Sequence, residues 1–151
     1  MPVVKAVVDV AAPLDRVFAL ARNIEAFPEF MPDVQEVEIM EQEEEGGRQI
    51  SRWVGIVKEF KRTITWTEED YWDEVEHECR FSQVEGDFAV YQGTWSFCES
   101  DAGTTVVLEL EYEYDVPLIG NLIKGLLLRK MQENCDNMLT AIKAEAEKAQ
   151  G

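Results

Sequence analysis

"YQGTWSF" (residues 91–97) has the period of a strand and one gap in it. Tyr91, Trp95 and Phe97 recur at every second position, as side chains on one face of a strand do. The alternate position between them is Gly93, which packs nothing and weakens a strand. Two explanations stand open. Gly93 relieves crowding between large rings, or it widens a hollow on the concave side of a curled sheet.

The flanking sequence favours a single wide antiparallel sheet. In "TTVVLELEYEY", Val106, Leu108, Leu110, Tyr112 and Tyr114 alternate with Glu109, Glu111 and Glu113. Residues 74–81 alternate in the same way, with Val75, His77, Cys79 and Phe81 against Glu74, Glu76, Glu78 and Arg80. Such alternation predicts one wet and one covered face. "VQEVEIME", "RQISRWVGIV", "FKRTITWT" and "FAVYQGTWSF" add further strands, and "KE", "EEDYWD", "SQVEGD" and "ESDAG" read as the turns between them. Gly55, like Gly93, is a candidate bend.

Before these strands come one more, residues 4–10, and two short helices. Pro13 opens the first, with Leu14, Val17, Phe18 and Ala21 at helical spacing. "IEAFPEFM" reads as the second, broken by Pro28 and Pro32. The cover for the sheet lies at the C-terminus. From Leu118 to Lys148 an apolar stripe runs through Ile119, Leu122, Ile123, Leu126, Leu127, Met131, Cys135, Met138, Leu139 and Ile142. Thirty helical residues span roughly 45 Å, enough to cross a sheet of strands roughly 36 Å long. The expectation is an α+β fold: a curved antiparallel sheet wrapped around a long C-terminal helix, as one domain over residues 1–151.

Hairpin parity assigns the faces. An even-length loop joins odd residues to even partners, so if the loops are even Trp95 and Phe97 match the even pair Val106 and Leu108 in face, and Trp53 and Gly55 match Trp66 and Ile64. Trp53, Ile64, Trp66, His77, Tyr91, Trp95 and Tyr112 are therefore expected to share the concave face. Arg62 has the parity of Ile64 and Trp66 and points inward on the same rule.

Composition excludes several partners. The chain carries 14 Lys and Arg against 31 Asp and Glu, a formal net charge of −17. That opposes nucleic acid, whose affinity comes from neutralised phosphates, and docking on anionic lipid through a basic patch. Cys79, Cys98 and Cys135 lack metal-type spacing, and an odd number of thiols fits a reducing cytoplasm. No signal peptide or membrane span is readable; "PLIGNLIKGLLL" is too short and holds Asn121 and Lys124. A cytoplasmic protein with no stable membrane insertion and no cofactor or metal is expected.

"APLDRVFALARNIEAFPEFMPDVQEVEI", "YQGTWSF" with the following "GTTVVLELEYEY", and the long last helix with "KMQEN" (130–134) resemble the polyketide cyclase/dehydrase and coenzyme Q-binding branch of the START-like, helix-grip superfamily. The likeness covers essentially the whole chain. It implies a seven-stranded sheet gripping the helix, and an apolar cavity for lipids, quinones, polyketides or other hydrophobic molecules. It also implies two kinds of member, binders and cyclases. Cyclase relatives use cavity aromatics and an arginine; Arg62 is a candidate, but the family role is not carried over to it.

His77, the only histidine, is the other catalytic candidate, against the plainer reading of a packed core histidine. No nucleophile–base pair accompanies it. The run Glu68, Glu69, Asp70, Asp73, Glu74 and Glu76 reads as a solvated edge, and Trp72 as a rim residue. Phe27 and Phe30 border the expected cavity mouth, Leu126 belongs to the helix stripe, and Asn134 beside that stripe either orients a ligand carbonyl or bonds a neighbouring strand. The favoured function is binding of a hydrophobic small molecule. The alternatives are a cyclase or dehydratase, and a protein-interaction module using the acidic surface.

Overall fold

The computed structural model describes residues 2–43, 47–57, 62–114 and 121–148, with the backbone alone for 57, 62 and 121–123. Strand β1 (Val3–Val10) leads into helix α1 (Leu14–Arg22), a 3₁₀ turn (Ile24–Ala26) and the short helix α2 (Phe27–Phe30). Six strands follow: β2 (Val34–Gln42), β3 (Arg48–Val57), β4 (Arg62–Asp73), β5 (Glu78–Gly86), β6 (Val90–Ser100) and β7 (Gly103–Glu113). Helix α3 (Asn121–Lys148) ends the described chain. The seven strands form one antiparallel sheet in the order β1-β7-β6-β5-β4-β3-β2. This is the helix-grip arrangement.

The apolar face of the sheet closes on α1 and α3. Val17, Phe18 and Ala21 of α1 are buried, as are Leu127, Met131, Cys135, Leu139, Ile142 and Ala146 of α3, at spacings of three and four. Ile119, Leu122 and Ile123 lie outside the side chains described. Pro28 does not break α2; it sits in its first turn, where the missing N–H costs nothing.

Pairing follows the parity expected. Trp53 lies opposite Trp66 and Gly55 opposite Ile64; Trp95 lies opposite Leu108 and Phe97 opposite Val106. Curvature comes from irregularities at the β2 edge and from one between β4 and β5. There Glu68 faces Gln83 while Thr67 faces Glu85, so β5 carries one extra residue. Gly86 completes this bulge. Its φ is 152°, and a Cβ there would lie 2.6 Å from the Trp66 Cα.

The strand ends depart from expectation. "EEDYWD" is not a turn. β4 continues through it to Asp73 because β3 pairs with it along its whole length, Arg48 reaching Tyr71 and Gln49 reaching Asp70. β5 starts only at Glu78, and residues 74–77 form the turn. Likewise "SQVEG" belongs to β5, with the turn at residues 87–89.

Four side chains change place with these boundaries. Val75 is 84% exposed instead of covered. Trp72, expected at a rim, is buried with its ring edge against Phe18 (5.6 Å) and the Arg22 guanidinium over its face. Glu68 and Asp70, expected on a solvated edge, are buried on the concave face, because the alternation Ile64, Trp66, Glu68, Asp70, Trp72 runs on unbroken.

Candidate ligand cavity

A narrow cavity lies between the concave face and α3. Trp53, Gly55 and Ile56 of β3 and Ile64, Trp66 and Glu68 of β4 form one wall. Phe81, Tyr91, Trp95, Leu108 and Leu110 of β5 to β7, with Phe88, form the other. Met131, Asn134, Cys135 and Met138 of α3, with Asp33 and Val34 at the start of β2, close it. The centre of a water-sized sphere can move through about 70 Å³ of it. One water needs roughly 10–15 Å³ on that measure, so there is room for a guest the size of one or two rings.

The wall is a continuous set of aromatic contacts. Trp53 and Trp66 stack at 5.9 Å with planes 7° apart, a register neighbour pair turned into a flat panel. Tyr91 leans on Trp66 (4.8 Å), Phe88 (4.6 Å) and Phe81 (5.6 Å). Phe88 belongs to no strand, so no periodicity marks it. It is held inward by Gln83, whose amide donates to the Phe88 carbonyl (2.8 Å) and accepts from its N–H (3.3 Å).

Gly93 is not on the cavity wall. It pairs with Phe81 on one side and Leu110 on the other. A Cβ there would overlap the Glu109 carbonyl oxygen and come 2.7 Å from the Phe81 ring. Of its two explanations, relief of crowding is the one the packing supports. Gly55 is different: a Cβ there would make ordinary contact with the Trp66 ring at 3.5 Å, so its missing side chain leaves room in the cavity.

Several residues expected to line a cavity border this one: Trp53, Ile64, Trp66, Tyr91, Trp95 and Asn134. Others do not. Phe27 is buried against Phe30 and Trp53, one layer behind the wall. Tyr112 is buried beside Phe88, and Leu126 is only half-buried, off the inner stripe. His77 leaves the concave face altogether. It closes the 74–77 turn with φ 55°, its ring edge on Phe18 (5.1 Å) and its Nε2 3.7 Å from Asp15. The strand alternation that aimed it inward does not begin until Glu78. Arg62 opens β4 opposite Val57, and its side chain lies outside those described.

The polar part of the site was legible only by carrying the β4 parity past Trp66. Glu68 lines the cavity and accepts from Trp66 Nε1 (2.8 Å). Asp70 lies behind it and accepts from Ser51 Oγ (2.7 Å) and Gln49 Nε2 (3.2 Å), while Trp53 Nε1 donates to Ser51 (2.9 Å). Gln49, Ser51 and Trp53 share one face of β3, and Gln49 and Ser51 lie directly opposite Asp70 and Glu68. Burial and the neighbouring Asp70 charge push the Glu68 carboxyl well above its ordinary range. Asp70 is raised by burial too, but the hydrogen bonds from Glu68, Ser51 and Gln49 oppose this. Both directions favour protonation of the pair, and Glu68 is the more strongly raised of the two.

Burial also raises the Tyr91 phenol well above its ordinary value and the Cys135 thiol to about 12. At the helix side Asp33 Oδ2 accepts from Asn137 (2.9 Å) and, with the Asn134 amide nitrogen turned toward it, from Asn134 (3.3 Å). Asn134 thus ties α3 to the start of β2. Among the described residues no group of three or more His, Cys, Asp or Glu side chains is placed to hold a metal ion, and no helix is long and apolar enough to cross a membrane.

The family model for "Polyketide cyclase / dehydrase and lipid transport" matches residues 10–139. The chain belongs to this family. Among solved structures, TTHA0849 from Thermus thermophilus superposes with a TM-score of 0.91 at 35% identity, covering 99% of this chain and 100% of that one. The Zhui aromatase/cyclase from Streptomyces sp. R1128 gives 0.89 at 23% identity, with 99% and 96% covered. A START superfamily protein from Mycobacterium smegmatis gives 0.81 at 17%, with 97% and 98% covered. The last two share the fold. No curated protein sequence matches significantly. The START-like sheet of this member grips one long helix, and its cavity lies between them.

Proposed function

We propose that this family member binds a small hydrophobic molecule in the cavity between the sheet and α3. The observation that carries the reading is the wall itself: Trp53, Trp66, Tyr91 and Trp95 border unfilled space that a well-packed core would close. Flat aromatic panels suit a planar guest such as a quinone or a cyclised polyketide. Binding without catalysis is the favoured form, since no nucleophile and base stand together on the wall among the described residues.

The test is extraction and native mass spectrometry of the purified protein, followed by titration with quinones and polyketide-like aromatics. A bound apolar molecule, displaced one for one, supports the reading. Gly55→Leu fills the cavity from β3 and is expected to abolish binding while leaving the circular dichroism spectrum intact. Unchanged binding in that variant places the guest elsewhere and defeats the proposal.

One observation favours a second reading, a cyclase or dehydratase like the Zhui aromatase/cyclase that shares the fold. Glu68 lines the cavity with its carboxyl raised well above the ordinary range, which favours the protonated form that a general acid needs. Turnover of a poly-β-ketone substrate that is lost in Glu68→Gln supports it; absence of turnover with retained binding supports the carrier. An interaction module on the acidic surface gains nothing from an interior that holds unfilled space.

A further inference from the structure

The cavity's polar atoms specify what kind of head group it accepts. Tyr91 lines the cavity, and among the described residues its hydroxyl has no hydrogen-bond partner. Its ring is fixed by Trp66, Phe81 and Phe88, so the hydroxyl cannot swing away to find one. Tyr91 is half-buried, and a hydroxyl that opens on the cavity without a protein partner is free to donate to whatever occupies that space. Across the wall stands Glu68, with Asp70 directly behind it. Asp33 faces the same space from the start of β2. No Lys or Arg lines the cavity among the described residues.

We propose that the site selects uncharged guests bearing a carbonyl oxygen, which accepts a hydrogen bond from Tyr91, and that an acidic lining with no cation in it excludes carboxylate head groups. This rests on the cavity being a binding site, and it narrows the ligand class: ketones and quinones enter, fatty acids and other apolar anions do not. The physical reason is asymmetric. A ketone exchanges a hydrogen bond to water for one to Tyr91, at little cost. A carboxylate must lose its hydration with no cation to receive it, in a site whose ionisable lining is acidic.

Three naphthalenes of similar shape separate the possibilities by calorimetry at pH 7.5: 2-acetylnaphthalene, 2-ethylnaphthalene and 2-naphthoate. The ketone and the hydrocarbon are expected to bind, and the carboxylate at least about thirtyfold more weakly than the ketone. Tyr91→Phe removes a hydroxyl that bonds nothing in the protein, so the fold is retained. That variant is expected to lose about fivefold in affinity for the ketone and nothing for the hydrocarbon. Equal binding of the carboxylate overturns the inference, as does a Tyr91→Phe effect that is absent or the same for both neutral probes; in either case the cavity remains a binding site. If none of the three binds wild-type protein, the binding reading itself falls and the inference with it.

Discussion

Gly93 on β6 lies directly opposite Phe81 on β5, and the tip of the Phe81 ring stands where a side chain at 93 would begin, 2.7 Å from the position of a Cβ. The neighbouring obstacle is backbone, the Glu109 carbonyl, which cannot turn aside. Gly93→Ala is therefore expected to destabilise the protein by at least ~2 kcal/mol, at the upper end of overpacking costs. Urea denaturation measures it. A change below ~0.5 kcal/mol would mean that the sheet relaxes there and that crowding does not explain the glycine.

The buried carboxyl pair makes stability depend on pH with a definite sign. Glu68 and Asp70 both have their folded values raised above the unfolded ones, so each contributes most when protonated. Their contribution is complete below the unfolded value, 4.5 for Glu68, and is lost as pH rises toward the folded value. The loss is at most ~1.4 kcal/mol per pH unit for one proton. Glu68→Gln supplies an amide donor to Asp70 without taking up a proton. The variant is expected to gain on wild type steadily as pH rises from 4.5 and to show a flatter stability profile. Parallel profiles for the two proteins would show that burial does not raise the Glu68 carboxyl.

Tyr112 is 2% exposed, and its hydroxyl is buried with no hydrogen-bond partner. Removing an unsatisfied buried hydroxyl deletes a desolvation penalty and breaks no bond. Tyr112→Phe is expected to be neutral or to stabilise by up to ~1 kcal/mol, read from thermal and urea melts. A loss of 1 kcal/mol or more would reveal an ordered water bridging that hydroxyl.

The three thiols should separate cleanly. Cys98 is exposed, whereas Cys79 and Cys135 are buried and both are pushed upward by burial, Cys135 to about 12. A thiolate is the reacting form. One thiol is expected to react rapidly with an aromatic disulfide reagent in native buffer, and the other two only on unfolding. Cys135 lines the cavity, so a guest there should slow its reaction further and leave Cys98 unchanged. Rapid labelling of two thiols would show that the cavity opens widely on the reagent's timescale.

Much of this fold could be read along the chain, because a sheet covered on one side writes a period of two and a covering helix writes a period near 3.6. That Trp53 and Trp66 share a face, and that Trp95 shares one with Leu108, follows from parity alone; which residue lies opposite Trp95 does not. Strand ends carry no such signal. "EEDYWD" has the composition of a turn and is strand because Arg48 and Gln49 of β3 are there to pair with Tyr71 and Asp70. His77 went the other way, from an apparent strand position into a turn, once β4 took up the residues before it.

The amino-acid sequence by itself determined the element order, the face of most strand residues and the stripe on α3, all of them consequences of local periodicity. Only the tertiary structure decided that two carboxyls lie inside. A buried acid pair is tolerable only where donors stand opposite, and Ser51 and Gln49 reach that place through pairing across 17 and 21 residues of chain. Whether space survives between sheet and helix was likewise settled by the packing of distant side chains, which no local pattern records.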